Sequence, residues 1–362
     1  MKYPVYQPSL SGNEKKYVNE CLDSTWISSK GKFVNQFEQN FSNFIGTNHG
    51  AAVSNGTVAL HLALEALGIG EGDEVIVPTL TYIASVNAIT YTGAKPVFVD
   101  SLEESWQINP EDVLEKISPS TRAILCVHLY GQACDMDALV RISNDHSLFL
   151  IEDCAEAIGT YYREQHVGTF GDVATFSFYG NKTITTGEGG MVLTNDETLY
   201  ERLVHLKGQG LAKYREYWHD AIGYNYRMTN ICAAIGCAQL ESLQDTLSKK
   251  RQISDWYKEA LESSDYTFHK EQVETRHSYW MCSVLLPREI NREELKKHLM
   301  RKGIETRPMF YPIHTMPIYS KKYEKHHVAE SLARRGMNLP SYPGLKKKDI
   351  VYIVASLRSF DG

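Results

Sequence analysis

Six short apolar runs punctuate residues 74–194, and their spacing narrows the architectures open to this chain. They fall at 74–78, 95–100, 123–129, 148–153, 173–178 and 190–194. Each is apolar nearly throughout, as strands are when a parallel sheet is covered on both faces. Helical stretches fill the first gaps, at 82–91, 110–117 with proline in its first turn, and 135–144. Strands alternating with helices predict an α/β fold in which helices flank a mainly parallel sheet. At 362 residues the chain is too long for one simple core. Charge rises from Lys249-Lys250-Arg251 onward, where helices at 249–261 and 292–302 bracket a short strand at 279–286. We expect a large domain over 1–245 and a smaller C-terminal α+β domain over 246–362, with the N-terminal segment free to pack on the small one.

Charge and cysteine usage remove several function classes. A net charge of −6 argues against general affinity for nucleic acid or an anionic membrane. No apolar run approaches the roughly 18 residues that span a bilayer, and the first residues lack an apolar signal region. The expectation is a cytoplasmic protein. Seven cysteines at wide spacing, with no Cys-x-x-Cys, give no reason to expect a disulfide framework or a metal site.

Within this frame one lysine stands out. The run 173–178 ends at Gly180-Asn181, and Lys182 sits just past it. Ligands of open α/β sheets gather at the carboxyl ends of strands. A lysine held there loses solvation, which lowers its pKa and frees the neutral amine as a nucleophile. Most lysines are merely exposed, so the other motifs must decide. Ser54-Asn55-Gly56-Thr57 leads from a short strand into a helix that is apolar almost all round. Such a start suits an anion, and it also suits a plain helix cap, since capping residues are common. The run 148–153 ends in Glu152-Asp153. Adjacent strand residues point to opposite faces, so only one of the two acids can meet a given ligand. Neither Gly68-Ile69-Gly70-Glu71-Gly72 nor Gly180-Asn181-Lys182-Thr183 meets the spacing of a nucleotide-binding glycine motif. The irregular, aromatic stretch 207–226 is long enough to suggest function.

Together these features match pyridoxal 5'-phosphate (PLP) chemistry. PLP needs a Schiff-base lysine, for which Lys182 serves, and a phosphate cradle, which Gly56 and Thr57 supply. It needs an acid beside the pyridine nitrogen, for which Asp153 fits, and an aromatic ring to stack on it, for which Tyr82 is placed.

The order of phosphate helix, acid and lysine resembles that of fold-type I aminotransferases. More narrowly, the chain resembles the DegT-type nucleotide-sugar aminotransferases over roughly residues 4–345. The carrying residues include Ser54-Asn55-Gly56-Thr57, Ile151-Glu152-Asp153-Cys154-Ala155, Phe176-Ser177-Phe178 with Lys182, Thr185-Thr186-Gly187-Glu188-Gly189-Gly190 and Gly223-Tyr224-Asn225-Tyr226-Arg227-Met228. Tyr179-Gly180-Asn181-Lys182 and Phe310-Tyr311-Pro312-Ile313-His314 carry a narrower likeness to the branch that forms GDP-perosamine, an O-antigen sugar. The resemblance implies that Lys182 binds the cofactor and moves the proton. It implies that Asp153 pairs with the pyridine nitrogen, that Gly56, Thr57 and Ser177 bind the phosphate, and that Tyr82 stacks on the ring. Asn225 would reach the phosphate of a neighbouring subunit's cofactor, which makes the active unit a homodimer or a higher homo-oligomer. Glu156 would stand near the phenolic oxygen, where family members often have Gln or His. Tyr311 and His314 would contact the sugar or nucleotide, or else form a packed aromatic loop. The substrates would be L-glutamate and a GDP-linked 4-keto-6-deoxy sugar. A UDP- or dTDP-linked ketosugar, a dehydratase and a non-catalytic binding protein are the alternatives. The last two should have lost Lys182 or Asp153.

Overall fold

A computed structural model describes residues 1–320 and 323–360. The apolar runs assemble into one seven-stranded sheet, joined by a strand that precedes them. In chain order the strands are β1 His49–Val53, β2 Glu74–Pro78, β3 Lys95–Val99, β4 Thr121–Val127, β5 Phe149–Asp153, β6 Val173–Ser177 and β7 Gly190–Thr194. Their order across the sheet is β1-β7-β6-β5-β4-β2-β3. Neighbours from β3 to β6 pair in parallel. β7 runs antiparallel to both β6 and β1. The reason lies in the connection 178–189, which contains no helix. Parallel return generally needs a crossover of a dozen or more residues, usually helical. This helix-free path doubles back and leaves a loop at the carboxyl end of β6.

Helices cover both faces. On one face Phe37 and Phe41 of helix Lys32–Ile45 meet Phe178 and Phe176 at centroid distances of 4.9 and 5.0 Å. The aromatic stripe of that helix is therefore core. On the other face Leu60, Leu62 and Leu64 of helix Gly56–Leu67 pack with Val75, Val77 and Ile151. Strand alternation places Thr175 and Ser177 on the face opposite Phe176 and Phe178.

A four-stranded antiparallel sheet follows, from Thr267–Phe268, Cys282–Leu285, Gly336–Leu339 and Arg307–Pro308. Its core joins Ile253 and Tyr257 of helix Leu243–Leu261 with Leu295, Leu299, Ile350 and Val354. That helix begins at Leu243, earlier than charge alone predicts, because Leu243 and Leu247 are buried. The strand expected at 279–286 starts only at Cys282, since Tyr279 adopts φ +50°. The N-terminal segment packs here, with the amides of Lys2 and Tyr3 donating to Gly303 O at 3.0 and 2.9 Å. Among the described residues no helix is long and apolar enough to cross a membrane.

Candidate active site

The loop after β6 is closed at its base. Phe178 N donates to Gly189 O at 2.8 Å, and Thr186 N donates to Phe178 O at 2.9 Å. Lys182 N caps a turn on Tyr179 O at 2.9 Å. Two distant side chains grip the same backbone. The Tyr6 hydroxyl donates to Lys182 O at 2.6 Å, and the Trp280 indole N–H donates to Asn181 O at 2.8 Å.

These contacts aim the lysine inward. Lys182 Nζ lies 3.8 Å from Glu156 Oε1 and 4.0 Å from the centre of the Trp280 ring, with the side chain 12% exposed. Burial pulls the ammonium pKa down, and the charges of Glu156 and Asp153 oppose that pull. Burial likewise pushes the Glu156 carboxyl up to about 7, against the field of Lys182. Glu156 Oε2 accepts the Tyr130 amide at 2.7 Å. Burial thus favours the neutral form of each partner, while the charge of each favours the ionised form of the other.

The two acids that close β5 part company. Asp153 accepts the Ser85 hydroxyl at 2.8 Å on Oδ2 and the Ala155 amide at 3.0 Å on Oδ1. Burial raises its pKa, while those donors and Lys182 work against the rise. Glu152 points to the other face. It accepts the amides of Gly168, Phe170 and Gly171 at 2.7, 2.8 and 2.8 Å, and His128 Nε2 at 3.1 Å. His128 Nδ1 accepts the Cys134 amide, so Nε2 carries the hydrogen. Glu152 is saturated by the fold, which leaves Asp153 as the acid available to a ligand.

Gly56 opens its helix against the end of β6. A Cβ there would stand 2.7 Å from Ser177 Cβ and 3.1 Å from its Oγ. Only a glycine lets the helix start approach so closely. Asn55 caps the helix through Val58 N at 3.0 Å. The amides of Gly56 and Thr57 have no hydrogen-bond partner among the described residues. Thr175 Oγ1, on the same strand face as Ser177, is buried without a partner.

Tyr82 precedes helix Ile83–Tyr91 and is 57% exposed, its ring 5.6 Å from Phe310. Phe310 stacks on Tyr130 at 5.3 Å. Tyr311 is half exposed, and its hydroxyl accepts Arg292 Nη2 at 3.2 Å. His314 is 2% exposed. Its Nδ1 lies 2.6 Å from Thr79 Oγ1 and its Nε2 3.3 Å from Glu330 Oε1, so both ring nitrogens have protein partners. Asn225 is exposed on the loop after Lys207, where its backbone bridges Gly208. The structure thus joins Lys182 to Glu156, and Gly56 to Ser177, and sets Tyr82 beside Phe310. His314 belongs to a packed layer below. Sequence reasoning did not find Trp280, Tyr6, Ser85 or Tyr130. Each is called to the site by tertiary contact, and Trp280 read as an ordinary strand residue.

The sequence pattern of the DegT/DnrJ/EryC1/StrS aminotransferase family matches residues 8–358. The chain belongs to that family. It is 62% identical to the GDP-perosamine synthase of Escherichia coli O157:H7 over 99% of both chains. Among solved structures, DesV of S. venezuelae superposes with a TM-score of 0.90 at 35% identity, covering 96% of this chain and 93% of that one. Spr1654 of Streptococcus pneumoniae, in its PLP form, gives a TM-score of 0.94 at 25% identity over 99% and 98%. DegT/DnrJ/EryC1/StrS aminotransferases depend on PLP, and the residues of this family member fit that group. The close approach of Gly56 to Ser177, the free amides of Gly56 and Thr57, and the unpartnered Thr175 hydroxyl suit an anion. Asp153 offers a carboxylate, and Lys182 an amine, on the same side of the sheet.

Proposed function

We propose that the chain transfers the amino group of L-glutamate to the C4 ketone of GDP-4-keto-6-deoxy-D-mannose, giving 2-oxoglutarate and GDP-perosamine. The observation that carries the chemistry is Lys182 Nζ, nearly dry, 3.8 Å from Glu156. The choice of sugar rests on the 62% full-length identity to the E. coli enzyme.

Lys182, Asp153, Gly56, Thr57 and Ser177 would hold PLP, with Tyr82 covering one face of its ring and Glu156 near its phenolic oxygen. When bound, PLP supplies an electron sink for the bonds broken and made at the amino-bearing carbon. Lys182 Nζ takes a proton from that carbon and returns one, helped by a pKa already lowered by burial. Glu156, with a carboxyl near 7, holds the compensating proton beside Nζ. Asp153, kept in orientation by Ser85 and Ala155, would accept a ring N–H of the cofactor. The Trp280 face steadies Nζ whenever it is charged.

The active unit is a homodimer in which Asn225 reaches the cofactor phosphate across the interface. The loop that carries Asn225 exposes Tyr214, Tyr217, Trp218 and Ile222 by 73, 94, 45 and 91%. Large apolar side chains exposed together on one loop favour a covered surface. We place the enzyme in the cytoplasm, supplying an amino sugar for O-antigen assembly. Absorbance of the PLP-loaded protein tests the chemistry. Glutamate changes the cofactor spectrum of the wild-type protein within a turnover, and Lys182→Ala shows no such change. Full transfer activity in Lys182→Ala sinks the proposal.

A further inference from the structure

Lys250 is a buried cation without a counter-charge. It lies in helix Leu243–Leu261 and is 1% exposed. Lysines are almost never buried this far unless paired, because an isolated charge loses its hydration. The one titratable group that acts on it is Cys282, whose own thiol is pushed up to about 12 by burial and so stays neutral. Burial pulls the Lys250 ammonium down from 10.5 to about 8, which leaves it charged at neutral pH. Two groups receive that charge. Nζ donates to Ser341 O at 3.0 Å, and it stands 5.1 Å from the centre of the Tyr6 ring. The second distance is within cation–π range.

Tyr6 carries the contact onward to the lysine loop. Its hydroxyl donates to Lys182 O at 2.6 Å. Burial pushes the phenol far up, so it remains protonated and remains a donor. The backbone beside it is tied to the same place. Ser341 N donates to Val5 O at 3.1 Å, and Val5 N donates to Glu305 Oε2 at 3.0 Å. Ser341 therefore receives Lys250 on its carbonyl and holds the residue before Tyr6 with its amide. A cation over the ring fixes where the ring lies and draws electron density from it, which strengthens the O–H as a donor. The carbonyl that Tyr6 grips belongs to the residue whose amine faces Glu156, and its direction sets where that side chain points.

We propose that Lys250 is a positioning residue for Lys182 and acts through Tyr6, its ammonium holding the ring so that the hydroxyl grips Lys182 O. The inference rests on the reading of Lys182 as the reacting amine. The test uses Lys250→Gln, which keeps a donor for Ser341 O and removes the cation, Tyr6→Phe, which removes one oxygen, the double variant, and Lys249→Gln as an exposed control on the same helix. In the PLP-loaded enzyme each single variant should lower kcat by about ten-fold or more, with the KM for L-glutamate within about three-fold. The double variant should lose no more than about two-fold beyond Tyr6→Phe, because both changes break one chain of contacts. Losses that multiply overturn the proposal, and so does a wild-type kcat in Lys250→Gln. Melting temperature separates positioning from support. Burial alone disfavours the Lys250 charge, so Lys250→Gln should melt no lower than wild type, whereas a purely structural lysine would lose stability and activity together. Amide hydrogen exchange of segment 178–189 in the cofactor-free protein gives a reading independent of turnover. Exchange should quicken at least about five-fold in Lys250→Gln and in Tyr6→Phe and stay unchanged in Lys249→Gln. Unchanged exchange in Lys250→Gln overturns the proposal. If the wild-type protein aminates no nucleotide sugar, the reading of Lys182 falls while the exchange still judges Lys250. If it aminates one and Lys250→Gln matches it in kcat, the reading stands and Lys250 falls.

Discussion

Glu156 carries a prediction of its own at the scale of single residues. Its carboxyl is raised from 4.5 to about 7, so the folded chain keeps a proton that the unfolded chain has released. Stability from this group is fully present below about pH 4.5 and is lost as pH rises through about 7. Glu156→Gln keeps an acceptor for the Tyr130 amide and removes the titration. The cofactor-free variant should gain on wild type between those two pH values, by on the order of 3 kcal/mol. Urea unfolding at either end of the window measures it, and a gap that stays constant with pH contradicts the assignment. Lys182→Ala should lower kcat by at least about 10²–10⁴-fold, the scale of a lost proton-transfer group. Steady-state turnover with saturating glutamate reads that loss. Asp153, Ser177 and Gly56 could be singled out because each closes a strand or opens a helix, and Lys182 because it lies in the loop just past a strand end, where ligands of open α/β sheets gather. Trp280 could not be. Nothing local distinguishes it from a core tryptophan, and its indole reaches Lys182 only once the C-terminal sheet has docked.

At the scale of elements, helix Gly56–Leu67 meets the end of β6, and the proposed phosphate cradle depends on that contact. Gly56→Ala should drive a methyl group to 2.7 Å from Ser177 Cβ. The strain should cost about 1–3 kcal/mol of stability. PLP affinity should fall at least ten-fold, since helix start and strand end must part. Equilibrium dialysis of the cofactor checks the second figure, and unchanged affinity would show that the cradle lies elsewhere. Continuous apolar runs revealed six of the strands of the main sheet, because burial on both faces leaves no room for polar alternation. They did not reveal that β7 runs antiparallel. Direction is set by the connection 178–189, whose hydrogen bonds to Phe178 and Gly189 have no signature in hydropathy. Charge misled at the helix Leu243–Leu261, where buried leucines extend the element past its charged middle.

The whole molecule is tied together by a chain of neutral imidazoles. The Tyr279 amide donates to His277 Nδ1 at 2.8 Å, so His277 Nε2 donates to His269 Nδ1 at 3.2 Å. His269 Nε2 then donates to Ser105 O at 2.9 Å, with its ring stacked 3.9 Å from Trp106. Burial pushes His269 down from 6.5 to about 4 and holds His277 well below 6.5. Below about pH 6.5 the unfolded chain takes up protons that the fold refuses. Stability should therefore fall as pH drops toward about 4, by about 1.4 kcal/mol per pH unit for each histidine. Urea midpoints that stay level across that window would contradict the neutral chain. Assembly is the second property at this scale. Tyr217→Ser with Ile222→Ser should shift the particle toward half its mass in light scattering, and an unchanged mass would place the interface elsewhere. The central claim concerns which sugar meets Lys182. It is tested by offering the PLP-loaded enzyme L-glutamate with equal amounts of GDP-4-keto-6-deoxy-D-mannose and its UDP- and dTDP-linked 4-keto counterparts, and by identifying the aminated product by mass spectrometry. Amination of the GDP sugar at C4, at least about ten-fold ahead of the others in kcat/KM, is the predicted result. Preferential amination of a UDP- or dTDP-linked sugar, or no amination of the GDP sugar, would contradict it.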